Sequence, residues 1–412
     1  MQMQSEASCL LRTSLTSHTL SARELERSPR EIAKLLQSTF SDCEGTLLQT
    51  SSVLSPRSDS RGSSERARLV PRAPESLEVL VVIPTLNEAR HIRGVVTHLL
   101  ADPLAESGLL TIVVADGGSD DGTREMVLEL ASTFPEVHLL DNPKRLQSAG
   151  LNRAVRLFGL GKTWLLRCDA HATYPKAFCS ALLATAQGVE ADAVVVPLDS
   201  QGRGAVAQAI AWLSNSKLGT GGSAHRAGTQ SQFVDHGHHA LFRLDSFVRA
   251  GGYDETLACN EDAELDCRLR LLGSRIFLDA GVRVGYFCRS SFGGLARQYF
   301  RYGQGRSRTV RRHPSSLRLR QLAVPLHFVA SFLALILAPL FSVLPLYPLA
   351  YFSVLAGASL WFAITRRSVS GLLVGPAALV MHACWAAGFL WECLRVRERP
   401  FDALSFAKGA PQ

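Results

Sequence analysis

The sequence predicts an α/β domain with a Rossmann-like, mostly parallel sheet, followed by C-terminal transmembrane helices. Three observations predict it. Short β-rich runs alternate with helical stretches between Leu77 and Asp169, the order that builds a parallel sheet. Those runs are continuously apolar rather than alternating, as in strands covered on both faces. Beyond Gln321, the stretches 322–364 and 371–393 hold almost no charge, and about 20 apolar residues suffice to span a bilayer. The chain as a whole has 412 residues, of which 47% are hydrophobic and 19% charged, and a formal net charge of +8. Those averages exclude collagen, a disulfide mini-protein and a wholly disordered chain.

Residues 1–75 are rich in Ser, Arg and Glu and poor in aromatics. Such a segment is expected to stay disordered, because it buries too little apolar surface to offset chain entropy. Within it, Ser21-x-x-Glu24 is a capping-box pattern that predicts a short helix over Ala22–Phe40. At Leu77 the pattern becomes regular. The strand run 77-LEVLVVIP-84 is followed by a helical stretch from Asn87 to Leu100, then by 109-LLTIVVAD-116 and a helical stretch from Gly122 to Ser132. Next come 136-EVHLLD-141, a helix over Gln147–Phe158, and 163-TWLLRCD-169. In such sheets ligands bind outside the carboxyl ends of the strands. Here those ends carry Pro84–Glu88, Asp116–Thr123 and Asp169–His171. The nine cysteines are odd in number and include no Cys-x-x-Cys pair, which fits a reducing compartment. No basic, then apolar, N-terminal leader is present in the sequence, so the soluble part is expected in the cytosol.

Two nucleotide motifs are tested and set aside. No Gly-x-Gly-x-x-Gly follows the first strand, which continues as 84-PTLNEARH-91, so a dinucleotide site is not expected. The run 159-GLGKTW-164 contains Gly-Lys-Thr, but Arg156 stands where a P-loop needs its first glycine.

The strand-end segments 82-VIPTLNE-88, 114-VADGGSDDGT-123 and 167-RCDAH-171, with 260-NEDAELDCRLRLLG-273 downstream, resemble glycosyltransferase family 2, the inverting group with the GT-A fold. The resemblance covers about residues 77–310. Within it, 167-RCDAHATYP-175 and 298-QYFRYG-303 resemble the bacterial succinoglycan-type exopolysaccharide glucosyltransferases. It implies that Asp116 contacts the nucleobase, with Pro84, Thr85 and Glu88 lining the nucleoside pocket. It also implies a basic residue near the donor diphosphate, either Lys144 or Arg145. The family's Asp-x-Asp metal motif corresponds to Asp169-Ala170-His171. Carboxylate and imidazole ligands suit a divalent cation, Mn²⁺ or Mg²⁺, which would neutralise charge growing on the leaving diphosphate. Asp120 and Asp121 are expected to cap the helix that follows them.

An inverting transfer needs one general base for the acceptor hydroxyl. The resemblance implies that Asp262 is that base and Glu261 its positioning neighbour. A helix starting there would favour the ionised carboxylate at its first turn. Asn260 as a plain N-cap accounts for the same acids without catalysis. The run 298-QYFRYGQGR-306 resembles the Gln-x-x-Arg-Trp motif of membrane-linked members, which implies that Gln298, Arg301 and Tyr302 face the acceptor. The basic stretch 296–313 reads equally as an amphipathic helix bound to anionic lipid. His236 and His238, in 235-DHGHHALFR-243, are expected to meet sugar hydroxyls, and 219–228 to form a loop closing over the donor.

The predicted organisation is therefore a disordered extension at 1–75, a catalytic domain at 76–310, a basic juxtamembrane segment at 311–321, two or three spans within 322–393, and a tail at 394–412. Pro345 and Pro348 divide the first apolar stretch. With the catalytic domain inside, three spans place Arg395, Arg397 and Arg399 outside, against the positive-inside rule, whereas two spans leave Arg366 and Arg367 outside. One apolar segment is accordingly a candidate for the interface. The resemblance implies transfer of a hexose, glucose from UDP-glucose, to an oligosaccharide on polyprenyl diphosphate at the cytosolic face of a bacterial inner membrane, without a nucleic-acid partner. A polyprenyl-phosphate hexose synthase and an inactive scaffold for polysaccharide assembly remain the alternatives.

Overall fold

The computed structural model describes residues 77–222 and 229–402. The N-terminal extension with its expected helix, most of the expected donor loop, and the end of the tail lie outside the described residues.

Eleven strands form two sheets. They are β1 (Val79–Thr85), β2 (Leu110–Asp116), β3 (Val137–Asp141), β4 (Trp164–Arg167), β5 (Ala172–Thr173), β6 (Ala193–Val196), β7 (Leu198–Gln201), β8 (Gln232–Phe233), β9 (His238–Arg243), β10 (Ile276–Leu278) and β11 (Val284–Phe287). The large sheet runs β3-β2-β1-β4-β9-β6-β10-β8, and the small one β5-β11-β7. Strands β3, β2, β1 and β4 are mutually parallel, while β9 lies antiparallel between β4 and β6. This is the α/β arrangement expected from the strand–helix order, and it fits the GT-A fold that the resemblance implies.

The continuous apolar strands are buried on both faces, as their composition requires. Every residue of β1 is buried. Val79, Val81 and Ile83 pack on one side with α1 (Ile92–Leu100), α2 (Thr123–Thr133) and α4 (Phe178–Gly188). Leu80 and Val82 pack on the other with α3 (Gln147–Phe158) and α6 (Glu261–Leu271). The α1 helix begins five residues later than the sequence predicts. The amides of Asn87, Glu88 and Ala89 are taken up by Ser119, Thr123 and Asp121 side chains, which fixes 86–91 as a loop.

Beyond the sheets, α5 (Ala205–Ser214) leads to α7 (Phe292–Arg312) and to three apolar helices: α8 (Leu319–Ile336), α9 (Leu346–Thr365) and α10 (Val374–Arg395). All three are long and apolar enough to cross a membrane. The α7 and α10 backbones approach closely. A Cβ on Gly303 would fall 2.1 Å from the Trp385 carbonyl, and one on Gly388 2.0 Å from that of Phe300, so both positions require glycine.

The basic collar differs from a lipid-facing stretch. Arg308 and Arg312 both pair with Glu398, and Arg312 also with Asp254. Arg311 donates to the Glu392 and Val396 carbonyls. These arginines clamp the chain's C-terminal segment to the catalytic domain, because acids and carbonyls distant in sequence satisfy them. Among the described residues of α7, Arg297 and Arg301 are the exposed arginines without such a partner.

One buried ion cluster joins this collar to the domain. Glu264, 2% exposed, accepts from Arg268 Nε at 2.9 and 3.0 Å and from His313 Nε2 at 3.0 Å. Burial opposes its charge, but Arg268 and His313 outweigh burial and lower its pKa from 4.5 to about 2. A carboxylate lowered on folding stabilises fully above its unfolded pKa, and that stability is lost as pH falls through the folded value. The drop corresponds to roughly 3 kcal/mol. Glu264→Gln is therefore expected to destabilise the protein by about that amount at neutral pH. In thermal unfolding the gap to wild type should close as pH falls from about 4.5 towards 2, and a gap constant with pH would refute the assignment.

Candidate active site

Loops at the carboxyl ends of β1, β2 and β4 converge. The Asp116 side chain is wholly buried. Its Oδ2 accepts from the Gly118 and Ser119 amides at 2.9 and 3.0 Å and from Arg124 Nη1 at 2.9 Å. Its Oδ1 accepts from the Ser119 and Thr85 hydroxyls. Burial alone would raise its pKa, but these donors lower it. These bonds commit the Asp116 carboxylate to shaping the 116–122 loop, at the place where the resemblance implies a nucleobase contact. Asp121 accepts from the Thr123 and Ala89 amides and so ties the two loops together, whereas the N-cap place of α2 is held by Gly122 without a side-chain cap and not by Asp120 or Asp121. Pro84 and Thr85 are buried beneath.

Glu88 is the open member of the expected nucleoside set. Its Oε1 meets His171 Nδ1 at 2.8 Å and its Oε2 meets His91 Nδ1 at 3.1 Å. The hydrogen bond that His171 donates to Glu88 raises the His171 pKa against burial. Burial would raise that of Glu88, but the two histidines lower it. Of the two candidate cations for the diphosphate, Lys144 is engaged by Glu255 at 2.7 Å. Arg145 lies exposed with positive φ of 56°, its guanidinium over Gly118.

The centre of the site is a residue to which no motif assigns a role. Arg167, at the end of β4, is 10% exposed along its side chain. Its Nη1 donates to Asp262 Oδ1 at 2.7 Å and to Glu261 Oε1 at 3.3 Å. Its Nη2 donates to Gln147 Oε1 at 2.7 Å, and its Nε stands 3.6 Å from Asp169 Oδ1. Tyr253, from the Gly-Gly-Tyr-Asp-Glu run, donates its hydroxyl to Asp262 Oδ1 at 3.0 Å and lies under the guanidinium. Burial and the neighbouring Asp262 charge raise the Glu261 pKa, with Arg167 opposing. The pair therefore favours one negative charge over two.

Asp262 sits in the first turn of α6. Asn260 holds the N-cap place in left-handed backbone, but its side chain makes no cap and donates to the Tyr302 carbonyl instead. Plain capping thus leaves the two acids unexplained.

Gln298, Arg301 and Tyr302 lie on α7. Gln298 Nε2 donates to the hydroxyls of Tyr286 and Tyr302 at 3.1 and 2.9 Å, and Arg301 points out exposed. Tyr286, on β11, lines one cleft with Arg167, Asp169, His238 and Asp262. The structure brings His238 to that cleft, whereas His236 Nδ1 is held by buried Asp266 at 2.6 Å.

Among the described residues no cluster of three or more His, Cys, Asp or Glu is placed to hold a metal. Asp169 and His171 nonetheless fit a shared divalent cation. Asp169 Oδ1 is buried without a hydrogen-bond partner. Glu88 fixes His171 through Nδ1, the arrangement that leaves Nε2 as the ligand nitrogen. Such a two-residue set leaves coordination places for diphosphate oxygens.

Arg167 and Tyr286 escaped sequence reading because a lone arginine or tyrosine at a strand end carries no spacing signal. The nearest signal is that Arg167 adjoins the metal motif.

Residues 80–249 match the family described as Glycosyl transferase family 2, and residues 175–365 match Glycosyl transferase family group 2. The succinoglycan biosynthesis protein ExoA of Rhizobium meliloti (strain 1021) is 42% identical over 325 residues, covering 79% of this chain and 97% of that protein. Among solved structures, the mannosyltransferase PcManGT from Pyrobaculum calidifontis, in complex with GDP-Man and Mn²⁺, aligns with a TM-score of 0.48 at 20% identity, covering 78% of this chain and 89% of that one. S. aureus TarS aligns with a TM-score of 0.38 at 16% identity, covering 57% and 43%. On the family match and the relative covered almost end to end, this chain belongs to glycosyltransferase family 2.

Proposed function

We propose that the enzyme is an inverting hexosyltransferase of exopolysaccharide biosynthesis, moving glucose from UDP-glucose to an oligosaccharide on polyprenyl diphosphate at the cytosolic face of a bacterial inner membrane. The role of the 42%-identical relative in succinoglycan biosynthesis supports the pathway class, and the three apolar helices support the membrane setting. The observation that carries the chemistry is the single guanidinium of Arg167, which holds Asp262 while standing beside Asp169.

In this reading Asp262 accepts the proton of the acceptor hydroxyl as that oxygen bonds to the anomeric carbon. The bond from that carbon to the diphosphate oxygen breaks on the opposite side, which inverts the centre. Arg167 and Tyr253 fix the carboxylate, and the α6 N-terminus favours its charge. Glu261, pushed towards its neutral form, leaves Asp262 as the base. A divalent cation on Asp169 and His171 would supply charge neutralisation for the leaving diphosphate. Arg145 adds a cation on the donor side, and Gln298, Tyr302 and Arg301 form the acceptor side.

Membranes incubated with labelled nucleotide sugars are expected to transfer glucose from UDP-glucose to a lipid-linked product, and to stop when EDTA removes the metal. Metal-dependent transfer from no donor in the panel would sink the proposal. Defined lipid acceptors separate a diphosphate-linked oligosaccharide from a bare polyprenyl phosphate. Asp262→Asn should lower kcat by roughly 10²- to 10⁴-fold with UDP affinity retained, whereas unchanged polysaccharide in cells carrying it would favour the scaffold reading. Arg167→Lys keeps the charge but loses the planar fork. It should cost on the order of 10²-fold in kcat, with little change in the donor KM.

A further inference from the structure

We propose that Arg306 of α7 and Arg320 of α8 bind the phosphate of the lipid-linked acceptor, between the catalytic cleft and the first apolar helix. This deepens the acceptor side of the function proposed above and rests on that reading for the identity of the lipid.

The first observation is an unspent cation. Arg306 is largely shielded from water but not sealed from it. Among the described residues its guanidinium has no hydrogen-bond or ion-pair partner, whereas Arg308, Arg311 and Arg312 on the same helix are satisfied by acids and carbonyls. A shielded charge without a partner is costly. Around Arg306 stand Cys267 and Asp266 of α6 and Arg320. Cys267 supplies no counter-charge, because burial pushes its thiol up. Asp266 is already held by His236 Nδ1 at 2.6 Å. Burial lowers the Arg306 pKa, and Arg320 lowers it further by like-charge repulsion. The two arginines thus stand in one another's field without an acid of their own, and an anion shared between them would relieve the repulsion.

The second observation is the charge nearby. Arg270, whose Nη2 lies 3.9 Å from Cys267 Sγ, and Arg318 converge on Asp235. With Arg306 and Arg320, these four arginines outnumber Asp235 and Asp266. The balance stays positive even with both acids ionised.

The third observation is the order of the groups. On α6, Asp266 follows the proposed base Asp262 by four residues. On α7, Gln298, Tyr302 and Arg306 recur every four residues, so they share a face. On both helices the arginine site is therefore one turn, about 5.4 Å, beyond the acceptor cleft. Arg320 lies in the first turn of α8, which is long and apolar enough to cross a membrane. It is exposed, and its Nη1 reaches the Gly221 carbonyl at 3.4 Å, the limit of a hydrogen bond. Cleft, arginine pair and apolar helix follow one another as sugar, phosphate and hydrocarbon do in a polyprenyl-linked acceptor. Guanidinium forks match phosphate oxygens.

The test uses the full chain in phosphatidylcholine nanodiscs. A fluorescent polyprenyl diphosphate is titrated against unlabelled polyprenyl diphosphate, polyprenol and phosphatidylglycerol as competitors, and UDP with Mn²⁺ is titrated separately. Polyprenol and phosphatidylglycerol should compete roughly 10-fold or more weakly than the unlabelled diphosphate. Arg306→Gln and Arg320→Gln should each weaken the probe roughly 10- to 100-fold, the range for a hydrogen bond to a charged group. Arg306→Lys should fall between them and wild type, with UDP affinity unchanged in all three. If Arg306→Gln does not fold, the exposed Arg320→Gln carries the same test. Unchanged probe affinity in the glutamine variants overturns the proposal. Equal competition by phosphatidylglycerol would assign the arginines to a membrane headgroup, and UDP weakened in step in a variant of wild-type thermal stability would assign them to the donor; either result also overturns it. No sugar transfer enters the titration. A chain that binds the probe through these arginines but transfers nothing would sink the activity alone, and transfer with an unchanged acceptor KM in the glutamine variants would sink this site alone.

Discussion

One guanidinium holds the site together. Arg167 ends the strand at which the parallel half of the large sheet meets antiparallel β9, where both faces are buried and the backbone cannot shift without disturbing the core. A buried arginine is costly unless every donor finds an acceptor. Gln147, Glu261 and Asp262 accept from its two Nη groups, and the Asp169 carboxylate lies 3.6 Å from its Nε. Its requirement therefore draws the start of α6, the start of α3 and the β4 loop to one point. The proposed base, Asp262, is consequently held by the same residue that stands beside the proposed metal ligand, Asp169.

A similar economy operates towards the membrane. Along α7, one face carries the Gln298 bonds to Tyr286 and Tyr302, another receives α10 through glycine contacts, and its last turn clamps Glu398 and Asp254. The catalytic cleft and the apolar helices thus share a helix rather than a linker. Glu264, Arg268 and His313 lock the end of that helix to α6, close to the base itself.

What the sequence disclosed followed from local physics. The first four strands announce themselves as continuous apolar runs, and α3 begins and ends where its periodicity does, at Gln147 and Phe158. The candidate residues Glu88, Asp169, His171 and Asp262 converge because motifs at strand ends converge in any sheet of this order. The misses were long-range. The late start of α1 depends on side chains some thirty residues downstream, and the burial of Asp116 on Arg124 and a loop not yet folded. The collar arginines look like lipid binders until acids some ninety residues away claim them.

The glycine contact between α7 and α10 also removes slack. The Phe300 and Trp385 carbonyls sit against Gly388 and Gly303, with no side chain between the two backbones to yield. Gln298, on the same stretch of α7, bonds the cleft residue Tyr286. A displacement of the apolar helices therefore reaches the cleft with little to absorb it.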